Sequence, residues 1–121
     1  MLLENFFKII QVDALAPQHF RVLVALITGH PVYEGHFPGN PVVPGVCTLQ
    51  MVVECAGIAL GFSVVMVQAS VVKFLDVVQP ATDKELEIDL QTDDVMAVKA
   101  TVKSGERIVM SCKIKLKKND F

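Results

Sequence analysis

The sequence has no basic run, no RNA-binding aromatic signature and no zinc-finger spacing, and its net charge is -2. Nucleic-acid binding, which rests on a concentrated positive surface, is therefore not expected. No apolar run is long enough to cross a bilayer, which takes about 20 residues. The nearest approach, Val42–Met66, is broken by Pro44, Gly45, Gln50, Glu54, Gly57 and Gly61. Met1-Leu2-Leu3-Glu4-Asn5 lacks a positive region ahead of an apolar one, so no signal peptide is expected and the expected location is cytoplasmic. Cysteine is scarce and odd in number. Cys47, Cys55 and Cys112 lie in apolar surroundings and read as reduced core thiols. A catalytic cysteine needs an electropositive, partly exposed setting, and only Cys47, near His36, is a candidate. With no linker, repeat or low-complexity segment, the chain reads as one domain over residues 1–121. No metal site is expected, because His36 has no histidine or cysteine at ligand spacing, and no nucleotide-binding loop is present.

What is present supports a full core: 52% of residues are apolar and 20% charged. Phe6–Val12 predicts a short strand ending near Asp13. Gln18–Thr28 predicts a second, with Phe20, Val22, Val24 and Leu26 on one face and Arg21, Leu23, Ala25 and Ile27 on the other. Only Arg21 is clearly polar there, so burial on both sides is expected. Gly29–Pro44 is a loop holding Pro31, Gly35, Pro38, Gly39, Pro41 and Pro44. Such punctuation gives a stiff, specifically shaped segment suited to holding chemistry. Pro44 opens a helix and Gly61 closes it. From Val46 to Leu60 this helix has no polar face, so other structure must wrap it. Ser63–Leu75, Lys84–Gln91, Val95–Lys103 and Arg107–Lys117 read as strands, the last two joined at Ser104-Gly105. One buried helix and about six mostly antiparallel strands make an α+β architecture, a curved sheet around a helix.

The stretch Tyr33-Glu34-Gly35-His36-Phe37-Pro38-Gly39-Asn40-Pro41-Val42-Val43-Pro44-Gly45-Val46 closely resembles the signature loop of the 3-hydroxyacyl-(acyl carrier protein) dehydratases. A weaker echo follows at Val72-Lys73-Phe74-Leu75-Asp76-Val77-Val78-Gln79-Pro80. The resemblance covers roughly Val32 to Asp83, and the family's proline- and arginine-containing N-terminal lead-in is missing. It implies the hotdog fold, a long helix wrapped by an antiparallel sheet, assembled as a homodimer or larger oligomer with active sites at the subunit interface. It implies reversible syn elimination of water from a 3-hydroxyacyl thioester to the trans-2-enoyl thioester. The acyl group would ride on the phosphopantetheine of acyl carrier protein, with no other cofactor.

That chemistry needs a base at C2, an acid for the C3 hydroxyl and a donor for the charge growing on the carbonyl oxygen. By the resemblance His36 is the base and the Gly45 backbone N–H, at the start of the helix, is the donor. His19 and His30 read instead as solvated loop histidines. Gly39 and Pro41 would shape the loop. Tyr33, Phe37 and Val46 join the substrate-binding set, with core packing an equal alternative for the two aromatics. Side chains around Met51, Phe62, Met66 and Phe74 would set the depth of the acyl tunnel.

The pattern breaks at the acid. The family's acidic residue falls fourteen positions after the histidine, where this chain has Gln50, and four positions later, where glutamine is usual, it has Glu54. Residues four apart share a helix face, so the two look exchanged. A carboxyl buried without a cation holds its proton more tightly, as an acid must. Glu54 is thus a candidate acid with Gln50 aligning the hydroxyl or a relaying water. A structural role for Glu54 is the equal alternative. A second function class stays open, a weakened acyl-binding subunit that completes a hetero-oligomer. A thioesterase is a third reading, with Glu34 and Glu54 its only nearby carboxylates. Lys113, Lys115, Lys117 and Lys118, with Lys73 and Arg107, either dock the acidic carrier protein or merely guard a solvated edge strand.

Overall fold

The computed structural model describes residues 4–33, 39 and 41–119. Strands β1 (Phe7–Ala16), β2 (His19–Leu26), β3 (Val64–Phe74), β4 (Glu85–Thr92), β5 (Ala97–Ser104) and β6 (Arg107–Lys118) form one sheet in the order β1-β2-β4-β5-β6-β3. Every pairing is antiparallel. The helix α1 (Gly45–Leu60) lies between β2 and β3 in sequence and packs on one face of the sheet. This is the helix-on-sheet arrangement that the hotdog resemblance implies.

Alternation explains the core. Val22 and Val24, Leu86, Ile88 and Leu90, Val98 and Val102, and Met110, Ile114 and Leu116 point to the helix side and are buried. Met51, Val52, Cys55 and Ala56 of α1 meet them and are fully buried. Each large apolar side chain so covered contributes about 1.5–3 kcal/mol. The helix ends where expected. Gly61 adopts φ +88°, and its N–H and that of Phe62 both donate to the Gly57 carbonyl, at 2.8 and 3.1 Å. A left-handed residue there is what lets the chain turn into β3.

Several expectations are corrected. β1 does not stop near Asp13 but runs to Ala16, because Asp13 pairs with Arg21 and Ala14 with Phe20 across the hairpin. The Asp13 carboxylate sits on the outer face, where it accepts the Gln11 amide at 2.9 Å, and the turn falls at Pro17-Gln18. β2 is not buried on both sides. Its outer residues Arg21, Leu23 and Ala25 are half-buried, since the single helix covers only the other face. Arg21 lies 3.4 Å from Glu87 there. His19 and His30 are not solvated loop histidines. His19 is in β2 with Nε2 2.8 Å from Asp89. His30 packs edge-on against Phe6, centroids 5.2 Å apart, and its Nδ1 accepts the Val32 N–H at 3.0 Å.

The lysine strand is not an edge either. β6 lies between β5 and β3, and Lys113, Lys115 and Lys117 alternate outward from buried Cys112, Ile114 and Leu116. The edge on that side of the sheet is β3, which is exposed along most of its length, with Val65, Met66, Val67, Val71 and Phe74 uncovered. Arg107 is not a free docking cation: it ties down the segment between β3 and β4. Its guanidinium donates to Asp76 at 2.7 Å, to the Val77 carbonyl at 3.1 Å and to buried Asp83 at 2.6 Å. Asp83 also accepts the Gln79 N–H at 2.9 Å and the Ser104 hydroxyl at 2.7 Å.

Burial pushes the Asp83 carboxyl up, but the Gln79, Ser104 and Arg107 donors outweigh it, and the net effect holds the carboxyl below its ordinary value. A carboxyl depressed in the folded state stabilises the fold above its unfolded pKa, about 3.9, and that stabilisation is lost as pH falls through the lower folded value. Asp83→Asn should therefore cost about 1–3 kcal/mol at neutral pH, since it leaves buried donors poorly matched. Thermal melts at neutral pH and below pH 4 check this: the gap between wild type and variant should narrow in acid. A gap that stays constant would remove Asp83 ionisation from the stability of the segment.

Candidate active site

Pro31–Tyr33 forms one 3-10 turn. Gly39 adopts φ +86°, a left-handed conformation that favours glycine. Pro41 and Val42 are half-buried, and Val43 is buried with its N–H donating to the Val78 carbonyl at 2.8 Å. His36 and Phe37, the predicted base and one predicted aromatic, lie outside the described residues, as does Glu34. Tyr33 is in the core, 5.8 Å from Phe6 ring to ring, and is not among the described residues that line the grooves along the helix. Burial, then the neighbouring Cys47, pushes its hydroxyl up to about 12.

At the head of α1, the Pro44 carbonyl accepts the N–H groups of Cys47 and Thr48, at 2.9 and 3.2 Å. Gly45 begins the helix, so its N–H is one of the donors that the helix itself does not use. It opens on a groove of about 360 Å³ whose lining includes Pro44, Val46, Phe74, Asp76 and Val77. The Phe74 ring lies flush against Gly45: a Cβ there would stand 2.8 Å from the ring edge. Val46 is 73% exposed beside it.

Further along the helix, Gln50 donates its side-chain N–H to Glu54 at 3.0 Å. Glu54 is 8% exposed and Gln50 half-buried. The pair lines a second, larger groove of about 780 Å³, together with Val53, Ile58, Phe62 and Met66. The sequence-predicted residues thus fall in two places within one chain: Gly45 and Val46 in the first groove, Gln50 and Glu54 in the second. Gln50 stands five positions after Gly45, about 7.5 Å along the helix axis, and Glu54 nine positions after it, about 13.5 Å along. Of the candidate tunnel residues, Met51 is core, Phe62 and Met66 line the larger groove, and Phe74 lines the smaller.

Burial disfavours the thiolate form of all three cysteines. Burial raises Cys47, burial and then Glu54 push Cys55 up to about 12, and burial pushes Cys112 up to about 11. Among the described residues no cluster of three or more His, Cys, Asp or Glu converges as metal ligands would, and no helix is long and apolar enough to cross a membrane. Sequence reasoning missed the Asp76–Arg107–Asp83 cluster beside the smaller groove. No local spacing announces it, because Arg107 lies 31 residues from Asp76.

Comparison with known proteins shows the family and the fold. The family model for ApeI-like proteins, described as ApeI dehydratase, matches residues 14–115. The chain is 28% identical to the 3-hydroxyacyl-(acyl-carrier-protein) dehydratase FabZ of Levilactobacillus brevis, over 91% of this chain and 83% of that one. It is also 28% identical to the same enzyme of Lactobacillus helveticus, over 93% and 85%. Among solved structures, the dehydratase heterocomplex ApeI:P of Xenorhabdus doucetiae superposes with a TM-score of 0.77 at 22% identity, covering 90% of this chain and 96% of that one. The chain is a hotdog-fold member of the ApeI-like dehydratase family.

Proposed function

We propose that this protein removes water reversibly from a 3-hydroxyacyl thioester, giving the trans-2-enoyl thioester. The acyl group is carried on the phosphopantetheine of acyl carrier protein in the cytoplasm, and no further cofactor takes part. His36 takes the proton from C2, and the Gly45 N–H receives the charge that moves onto the thioester oxygen. The hydroxyl at C3 leaves as water after accepting a proton from Glu54, with Gln50 aligning it. Phe37, Gly39, Pro41 and Val46 shape the substrate's surroundings.

One observation carries this reading: a carboxyl and an amide, hydrogen-bonded at 3.0 Å, stand on the wall of a groove otherwise lined mainly by apolar side chains. A groove of about 780 Å³ is of the size that holds a small ligand. Gly45 and the Gln50–Glu54 pair open on different grooves of one chain, so a substrate gripped by both calls for a second chain. A homodimer across β3 would bring them together and would cover the exposed Val65, Val67 and Val71. A second reading is favoured by Gln50 itself, which cannot deliver a proton: an acyl-binding subunit that completes a hetero-oligomer, with the partner supplying the acid.

The purified protein is expected to hydrate a crotonyl thioester and dehydrate a 3-hydroxybutyryl thioester, and His36→Ala should lower the rate by roughly 10²–10⁴-fold. Turnover that appears only after mixing with another hotdog subunit would establish the second reading in place of the first. Glu54→Gln keeps the shape and an acceptor for Gln50, and should cost about 100-fold in kcat. Full activity in this variant removes Glu54 from the mechanism.

Gly45→Ala offers a further check. The new methyl meets the half-exposed Phe74 ring, which can turn aside, so the fold should persist. Displacing the thioester by even about 1 Å should still lower kcat roughly 10–100-fold. Steady-state kinetics beside a thermal melt separate the two effects, and an unchanged kcat would exclude the Gly45 amide as the oxyanion donor.

A further inference from the structure

The segment joining β3 to β4 is held at both ends by one side chain. Arg107 Nη1 donates to Asp76 Oδ2 at 2.7 Å and to the Val77 carbonyl at 3.1 Å, and Nη2 donates to Asp83 Oδ1 at 2.6 Å. The Gln79 N–H donates to the other oxygen of Asp83 at 2.9 Å, which closes the far end on itself. Val78 lies between these anchors, 3% exposed, and its carbonyl accepts the Val43 N–H at 2.8 Å.

The bond from Val43 to Val78 holds the chain just ahead of the helix. Residues 41–44 read Pro-Val-Val-Pro, and proline has no N–H to donate. Among the described residues, Val43 to Val78 is the only hydrogen bond that ties residues 41–43 to the rest of the fold. Pro44 and Gly45 come next. Asp76 and Val77 also wall the groove on which Gly45 opens. Gly45 stands two residues after Val43, and Val43 is bonded to the segment that Arg107 clamps.

We propose that Arg107 is a positioning residue, aiming the Gly45 amide at the thioester through the 75–83 segment and the Val78–Val43 hydrogen bond. This rests on the dehydratase reading for its catalytic consequence, though not for the clamp itself. Arginine suits the task because its planar fork reaches three acceptors at fixed angles, and a lysine ammonium does not reproduce that fork. A residue that only stabilises the fold would loosen the whole domain alike. A positioning residue loosens the helix lead and the chemistry while the core stays closed.

The test uses Arg107→Lys, which keeps the charge and loses the fork, and Asp76→Asn, which weakens one exposed arm and leaves the Asp83 arm in place. Amide hydrogen exchange is followed by NMR at Val43 and at Ile88, a core position in β4. Steady-state kinetics use a 3-hydroxybutyryl thioester. In Arg107→Lys, Val43 exchange should quicken roughly tenfold with Ile88 unchanged, and kcat should fall roughly tenfold with KM held within about twofold. Asp76→Asn should move both in the same direction by less, and it decides alone if Arg107→Lys does not fold.

Exchange that quickens equally at Val43 and Ile88 overturns the proposal, as does Val43 exchange that stays at the wild-type rate. Faster Val43 exchange with kcat unmoved overturns the aiming role. If the wild type has no turnover, the dehydratase reading falls, while Val43 exchange still decides whether the clamp acts locally.

Discussion

An α-helix that is apolar on nearly every side needs cover all round, and a single sheet supplies cover on one side only. Most of what is distinctive in this molecule comes from that mismatch. The sheet buries Met51, Val52, Cys55 and Ala56 completely. The opposite side of the helix keeps Val46 and Ile58 exposed and Leu49, Gln50 and Leu60 half-covered. The larger groove runs along this open side, and β3 forms its other bank through Val64, Val65 and Met66. The uncovered helix face and the uncovered sheet edge are thus one continuous deficit. Apolar surface of this extent beside a strand edge marks a place where something binds.

The polar pair set into that surface is the chemical counterpart. Polar groups on an apolar wall cost free energy unless they are hydrogen-bonded, and Gln50 and Glu54 bond to each other. The exchange of amide and carboxyl relative to the pattern that the loop resembles keeps this bond possible in either order, because residues four apart remain neighbours on the helix. It changes which of the two stands nearer the head of the helix. The carboxyl moves four residues, about 6 Å along the axis, away from Gly45. In the proposed mechanism substrate or a relaying water would have to bridge that distance, with Gln50 as the intermediary.

How much of this was legible in the sequence depended on whether the cause was local. The helix bounds were, because Pro44 and Gly61 are signals that act at their own positions. The inward faces of β2, β4, β5 and β6 were, because alternation is a local period and the core imposes it everywhere. The loop was recognisable by its residues, although His36 itself lies outside the described residues. The length of β1 was not legible: Asp13 reads as a stop, but its pairing with Arg21 across the hairpin makes it a strand residue. The outer face of β2 was misread, because nothing in Leu23 or Ala25 says whether a second layer exists to cover them. His19 and Arg107 were misread for the same reason. Their partners Asp89, Asp76 and Asp83 are distant in sequence and come near only when β2 meets β4 and β6 meets the end of β3.

Arg107 shows how far a distant contact can redirect the meaning of a charge. Counted with the lysines, it suggested a basic patch for an acidic partner. In the fold it is consumed by Asp76 and Asp83, Arg21 stands beside Glu87 and His19 binds Asp89. The nine lysines form no ion pair with a carboxylate among the described residues. Among the described residues the two guanidiniums lie beside carboxylates of other elements, whereas Lys118 rests over the Phe62 ring, 5.1 Å from its centre, and Lys99 and Lys113 stand directly opposite each other. Like charges so placed cost stability. Any attraction this surface exerts on an acidic partner is long-range and screened by salt, whereas the contacts that shape the groove at Gly45 are short and partly buried.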